Sequence, residues 1–305
     1  PMRTNLIPYS EDFTAGSWSS FSQGTTPTLT SGFTAPDGSS NAYKISNPNK
    51  DSLWGYDGVA DTNYARTIYA RTVSGTGTIS LLSKNGNADN VFSLTESWQR
   101  FEVNTAALVP TIFYAVDFRV SGNLTELLIW GGQSEVGSYA TSYIPNFGTA
   151  LGVTRNQDIF TRDGIGSLIN STEGVLFLEM AALDNDGTSR QLSLSDGSSS
   201  NNKLSIIYTS TTNQIQAFIR ASGSISFNET FSLTNAATFN KIAIKWKLND
   251  FALWVNGIEV SSDFTGAAPV GLNELSFDDA DGTSKFFGKV KQLQVYDTAL
   301  TDEQL

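Results

Sequence analysis

The chain has 305 residues, with 30 acidic against 19 basic side chains for a formal net charge of −11, and it contains neither His nor Cys. Without imidazole or thiol, Ser-His-Asp catalysis, thiol nucleophiles, zinc–thiolate sites and disulfide stapling are excluded. The acidity argues against nucleic acid and anionic membrane surfaces as partners. Charged residues make up only 16% of the chain, against about 25% in an ordinary soluble domain. Gly, Ser, Thr and Asn take their place, which excludes coiled coil and predicts short strands joined by many turns.

The opening Pro1-Met2-Arg3-Thr4-Asn5 lacks the charged-then-apolar order of a signal peptide, and no run reaches the roughly 18 apolar residues of a membrane span, so no membrane insertion is expected. Alternating or short apolar runs predict strands at 42–46, 64–71, 78–82, 99–103, 112–120 and 126–131, with loops at 61–64 and 84–90. The stretch 144–155 holds a Pro and two Gly with little periodicity and reads as a linker. It divides the chain into a domain at 1–150, a linker at 151–158 and a domain at 159–305.

In the second half, strands are predicted at 175–182, 191–194, 204–208, 214–220, 224–227, 275–277 and 289–296. The clearest pattern lies between the fifth and sixth of these. Ile242, Ile244, Trp246 and Leu248 share one face of a strand, with Lys245 and Lys247 on the other. Asn249-Asp250 then turns the chain into 251–255, and Asn256-Gly257 is a type I′ hairpin signal leading into 258–260, which makes a three-stranded meander. Strands about 8–12 residues apart indicate a β-sandwich. Both halves are therefore expected to be all-β antiparallel sandwiches, in tandem. Near the end, Thr301-Asp302-Glu303-Gln304 has the form of a capping box opening a helix, so the chain reads as cut from a longer one.

Two near copies, Asp184-Asn185-Asp186-Gly187 and Asp279-Ala280-Asp281-Gly282, resemble the start of calcium loops. An EF-hand needs a Glu at loop position twelve; Ser195 and Val290 stand there, so these are looser calcium loops or Asp-Gly turns. Glycoside hydrolysis needs paired carboxylates. The strand around Glu179 offers a single acid, so no catalytic residue is assigned. Sugar rings stack on exposed aromatics. Trp246, Trp98 and Trp130 read as core, whereas Trp54-Gly55-Tyr56-Asp57 lies in a Gly- and Asp-rich stretch where either packing or a ligand platform fits. Trp254 alternates against its neighbours and is expected to face solvent or another chain. Arg66, Arg71 and Arg119 lie on predicted strands, where solvated faces or contacts to sugar hydroxyls both fit. The ligand-binding set that follows is Trp54, Tyr56, Arg66 and Trp254. Three Asn-x-Thr triplets, at Asn123, Asn170 and Asn228, are discounted as chance matches in an Asn/Thr-rich chain.

Three strings carry a resemblance. They are Asn5-Leu6-Ile7-Pro8-Tyr9-Ser10-Glu11-Asp12-Phe13 followed by Trp18, Ala35-Pro36-Asp37-Gly38-Ser39-Ser40-Asn41-Ala42-Tyr43-Lys44-Ile45, and the run from Ile129-Trp130-Gly131-Gly132-Gln133 to Tyr143-Ile144-Pro145, with Ser97-Trp98-Gln99-Arg100-Phe101 between. Together they resemble modules common in bacteriophage tail and virion proteins, and imply a jelly roll similar to carbohydrate-binding modules. Phe239-Asn240-Lys241-Ile242, Trp254-Val255-Asn256-Gly257 and the run from Phe287-Gly288-Lys289-Val290 to Leu300-Thr301 resemble the laminin-G/concanavalin A-like sandwich. The resemblance also implies a structural calcium in some relatives, with Glu11, Asp12 and Glu135 at the matching positions.

The expectation is a non-enzymatic virion component, a tail or head fibre or adhesin on the particle surface. It would bind host-surface polysaccharide, associate with other virion proteins, and form a homo-oligomer, trimeric by analogy with fibres. A structural spacer without ligand, and the accessory carbohydrate-binding region of a secreted polysaccharide-degrading enzyme, are the alternatives.

Overall fold

The computed structural model describes residues 1–21, 24–58, 64–83, 89–104 and 112–305. Most of the expected loops at 61–64 and 84–90 lies outside the described residues. The chain divides into two compact units, Pro1–Gln157 and Asp158–Leu305. Both are antiparallel β-sandwiches; one 3-10 turn, Gly166–Leu168, is the only helical element among the described residues.

The first unit comprises β1 (Arg3–Asn5), β2 (Trp18–Ser20), β3 (Thr28–Phe33), β4 (Ala42–Ser46), β5 (Leu53–Asp57), β6 (Tyr64–Arg71), β7 (Gly77–Ser83), β8 (Val91–Leu94), β9 (Gln99–Val103), β10 (Ile112–Asp117), β11 (Glu126–Val136) and β12 (Val153–Arg155). Two five-stranded sheets, ordered β2-β5-β10-β7-β8 and β3-β4-β11-β6-β9, face one another. Alternate side chains point inward: Ile45, Ile68, Leu127 and Ile129 from one sheet meet Trp18, Trp54, Leu81 and Phe113 from the other. The opposite face of β11 carries Trp130, which packs with Ala35, Ala42, Tyr69 and Tyr143 in a second, smaller cluster.

The segment expected as linker contributes β12, which pairs with β1 in the register Arg3↔Arg155, Thr4↔Thr154 and Asn5↔Val153. Residues 153–155 therefore close the first unit. β10 ends at Asp117, three residues early, because the Asp117 carboxylate accepts bonds from Arg119 N (3.0 Å) and from the Arg119 guanidinium (3.0 and 2.8 Å) and turns the chain.

β11 runs five residues further than expected, through a register shift between Trp130 and Gln133. Gly131 there has φ +64, and a Cβ on it would lie 3.2 Å from the rings of both Tyr143 and Tyr69. Beyond the bulge, Gly132 N donates to Ser10 O, and Ser10 N donates to Asn146 O, each at 2.8 Å. These bonds lace the N-terminal segment, the bulge and the segment after β11 together, and so place Tyr9 to Asp12 beside Asn146 and Phe147.

The second unit comprises β13 (Thr161–Arg162), β14 (Glu173–Ala182), β15 (Arg190–Ser195), β16 (Lys203–Tyr208), β17 (Gln214–Ala221), β18 (Ser224–Ser232), β19 (Asn240–Lys247), β20 (Phe251–Val255), β21 (Ile258–Asp263), β22 (Glu274–Ser276) and β23 (Gly288–Tyr296). They form a six-stranded sheet, β13-β22-β15-β16-β17-β18, and a five-stranded sheet, β21-β20-β19-β14-β23. The meander β19-β20-β21 is present. Positive φ at Asn249 (57°), Asn256 (53°) and Gly257 (80°) gives its tight turns. Ile242, Ile244 and Trp246 enter the core with Leu176, Leu178, Leu204 and Ile206. Leu248 does not, being 63% exposed, because β19 ends one residue before it. Gln304 Oε1 accepts from Thr301 N at 3.0 Å, one half of the expected capping box.

The two Asp-x-Asp-Gly stretches are turns. Asp186 accepts from Thr188 N and Asp281 from Thr283 N. A basic side chain pairs with one acid of each loop: Arg190 with Asp186 at 2.6 Å, and Lys203 with Asp279.

Candidate functional site

The first unit holds a cleft of about 450 Å³ lined by Tyr9, Glu11, Asp12, Ser31, Ser40, Asn41, Tyr43, Asn146 and Phe147. Its walls come from four stretches distant in sequence: the segment between β1 and β2, the middle of β3, the start of β4 with the turn before it, and the segment after β11.

The floor is polar and fixed. Glu11 is buried, at 8% exposure. Its Oε2 accepts from Asn41 Nδ2 at 2.6 Å and its Oε1 from the Tyr143 hydroxyl at 3.0 Å. Asn41 Oδ1 in turn accepts from Trp130 Nε1 at 2.9 Å and from Ser39 Oγ at 2.5 Å, so the floor is anchored to the second aromatic cluster. Burial pushes the Glu11 carboxyl above its ordinary value; the bonds from Tyr143 and Asn41 act the other way, and the charge of Asp37 adds to the rise. Burial also raises Tyr143 far above the ordinary phenol range, which keeps its hydroxyl protonated and donating.

The rim is aromatic and acidic. Asp12 is exposed, and its Oδ1 accepts from Thr14 N (3.0 Å), Thr14 Oγ1 (2.6 Å) and the Tyr43 hydroxyl (2.9 Å). Partial burial works against its charge, but these three bonds outweigh it and hold the carboxyl below its ordinary value. The bond to Asp12 sets the Tyr43 ring, and the Phe13 ring packs against it edge-on at 5.7 Å. Tyr9 sits in the left-handed region, φ 54. Its ring lies in a slot between Gly16 and Gly148, where added Cβ atoms would come within 2.7 and 3.0 Å of it. Its carbonyl accepts from Trp18 Nε1 at 3.0 Å. Phe147 stands out from the rim at 74% exposure. Two held phenol rings, an open phenyl ring, hydroxyls and a carboxylate around one cleft can stack on the apolar faces of a ring and hydrogen-bond to its substituents.

The residues expected to bind ligand go elsewhere. Trp54 and Tyr56 are core: β5 is an interior strand between β2 and β10, and its first four residues are all buried. Trp54 Nε1 donates to Phe13 O at 3.1 Å, and Tyr56 meets the Trp18 ring edge-on at 5.4 Å. Of the two roles open to this Gly- and Asp-rich stretch, packing is the one the strand gives it. Arg66 is also buried and donates to Ser83 O at 3.2 Å. Trp254 is half-buried in the second unit. It lines a separate cavity of about 240 Å³ with Phe177, Lys241, Ala243, Asn256, Gly257 and Leu305, and its Nε1 has no partner among the described residues.

Of the three carboxylates expected around calcium, Glu11 and Asp12 line the cleft and Glu135 does not. Glu135 is fully buried and takes bonds from Thr141 N (3.0 Å), Thr141 Oγ1 (2.8 Å) and Gln133 Nε2, with Arg3 at 3.9 Å. All three carboxylates thus face N–H or O–H donors. No group of three His, Cys, Asp or Glu side chains among the described residues is placed to hold a metal ion together.

Tyr9, Asn41, Tyr43 and Phe147 were not singled out from the sequence. The first three lie inside the strings Asn5–Phe13 and Ala35–Ile45, and membership of those strings was the one available signal. Nothing in the local pattern marks Phe147.

The family model for the concanavalin A-like lectin/glucanases superfamily (Laminin_G_3) matches residues 180–305, most of the second unit. No match was found among curated proteins. Among solved structures, the CBM40 of a Ruminococcus gnavus IT-sialidase bound to α2,3-sialyllactose aligns with 46% of this chain and 83% of its own, at 14% identity and a TM-score of 0.39. A native heptameric SAP-like pentraxin from Limulus polyphemus aligns over 44% and 68%, at 13% identity and a TM-score of 0.34. A Bacillus licheniformis β-glucanase aligns over 44% and 57%, at 16% identity and a TM-score of 0.30.

Proposed function

We propose that this chain is a glycan-binding, non-catalytic part of a bacteriophage virion, holding host-surface polysaccharide in the cleft of its first unit. The observation that carries the binding is the cleft itself, with Tyr9, Tyr43 and Phe147 around a polar floor on a rigid sandwich. The absence of His and Cys from the whole chain supports a non-catalytic role. So does the state of the two cleft acids: Glu11 is clamped by two donors and Asp12 by three, which suits holding a ligand better than shuttling protons. The virion assignment rests on the resemblance of the N-terminal strings and of the run around Trp130-Gly131-Gly132. A fibre would present several copies, trimeric by analogy, and a weak single site would then gain strength through avidity.

The test is retention of the purified chain on a glycan array and on host cells, for wild type, Phe147→Ala and Trp254→Ala. Retention that falls with Phe147→Ala and survives Trp254→Ala is the expected result. No retention at any density would leave a structural spacer as the role, and loss confined to Trp254→Ala would move the site to the second unit.

A further inference from the structure

The charges around the cleft bear on what kind of sugar it takes, a point that rests on the glycan-binding reading above. No Lys or Arg lines it among the described residues. The nearest bases in sequence are committed elsewhere: Lys44 pairs with Glu126 at 3.4 Å, and Arg3 lies by Glu135. Against this, Glu11 and Asp12 line the cleft, and the charge of Asp37 is close enough to act on both Glu11 and Tyr143. The chain as a whole carries −11.

Asp12 is the group a ligand would meet. All three of its protein donors converge on Oδ1, and among the described residues none bonds Oδ2. The second oxygen is thus an open acceptor on an exposed, firmly held carboxylate. Ser31 and Ser40 are exposed, and no hydrogen bond is made by their hydroxyls among the described residues. Asn41 and Asn146, in contrast, spend their side chains on the protein. The open polar groups among the described residues are therefore one anionic acceptor and three neutral hydroxyls, those of Ser31, Ser40 and Tyr9. An acceptor-only carboxylate pairs with O–H or N–H groups of a ligand and repels another carboxylate, and in a partly desolvated cleft that repulsion is stronger than in water. The Tyr9, Tyr43 and Phe147 rings add electron-rich faces, which favour a cation over an anion.

We propose that this cleft takes uncharged sugars and sugars bearing an ammonium group, and excludes acidic glycans such as polyuronates and sialylated chains, with Asp12 as the residue that sets this selectivity. Asp12 Oδ2 accepts hydrogen bonds from ligand hydroxyl or ammonium groups, while Tyr43 and Tyr9 stack against the ring. Ammonium-bearing sugars gain from the charge and neutral ones do not, so only the former lose affinity as salt rises.

The experiment is biolayer interferometry of the intact chain on three immobilised probes at equal density: a neutral hexose oligomer, a glucosamine oligomer and a polyuronate. A wider array of neutral, amino and acidic glycans stands behind them. Wild type is expected to hold neutral or amino sugars at least tenfold more strongly than the polyuronate. Asp12→Asn keeps the Oδ1 acceptor for Thr14 and Tyr43, and should cut glucosamine binding about tenfold and neutral binding by less, so that the preference for the amino sugar over the neutral one narrows. Asp12→Lys should admit the polyuronate while still folding cooperatively, and Asp12→Asn should unfold thermally as wild type does. Equal or stronger wild-type binding of acidic glycans, abolished by Phe147→Ala, would overturn the selectivity and keep the site. Unchanged preference in Asp12→Asn and Asp12→Lys would also overturn it. No binding to any glycan would overturn the site itself.

Discussion

Trp54 with Tyr56, and Tyr9 with Phe147, are two aromatic pairs in one sandwich with opposite fates. The first pair sits on an interior strand that was not expected from the sequence, with a Gly between the rings and an Asp after them. Its neighbours β2 and β10 satisfy the backbone on both sides, and the rings go inward. The second pair belongs to segments outside the sheets, and Phe147 stays open while Tyr9 is held in a slot between two glycines. Exposure of an aromatic in this fold therefore follows the strand order of the sheet, which local composition does not report.

The sharpest way to break this comparison is truncation of the buried pair. Trp54→Ala removes a buried indole and should destabilise the first unit by about 3–5 kcal/mol, read as a lowered denaturation midpoint; a change under about 0.5 kcal/mol would mean the ring is not core. In the second unit, Asp186→Ala strips Arg190, at 2% exposure, of its carboxylate. Loss of a buried partner costs about 3–5 kcal/mol. Because Asp186 is itself partly exposed, the expected loss is nearer 2 kcal/mol, measured by urea unfolding. Phe147→Ala should leave stability within about 0.5 kcal/mol but weaken glycan binding about tenfold, close to 1.4 kcal/mol. An equal fall in stability and binding would erase the distinction between the pairs.

The smallest effect concerns Glu135. Burial raises its carboxyl above the ordinary 4.5, against the bonds from Thr141 and the charges of Arg100 and Arg3. A raised folded-state value means the folded chain holds the proton more tightly than the unfolded one. The stability of wild type relative to Glu135→Gln is therefore fully present below pH 4.5 and declines as pH rises through the raised value. Thermal melts of both proteins across that window check the sign; a rising difference would contradict it.

The sandwich architecture was legible where apolar side chains alternate, as in β17 (Gln214–Ala221) or the β19-β20-β21 meander, because one buried face forces a period of two. It was not legible in β3, Thr28–Phe33, which is exposed or half-buried throughout, or in three-residue pieces such as β1 and β12, which exist only because they pair across the closure of the first unit. The site was legible in part. Glu11 and Asp12 stood in a string that resembled known modules, but their partners Asn41 and Tyr43 lie about thirty residues away, and Phe147 more than a hundred. Only the folded sheet, the bulge at Gly131 and the bonds through Ser10 bring these segments to one cleft.

Backbone hydrogen exchange of the intact chain, with and without a saturating glycan identified on the array, tests the central claim most directly. The account predicts slowed exchange at residues 9–12, 40–43 and 146–148, with β19 and β20 around Trp254 unchanged. Protection confined to residues 241–257, or none anywhere on a chain that is demonstrably bound, would contradict it.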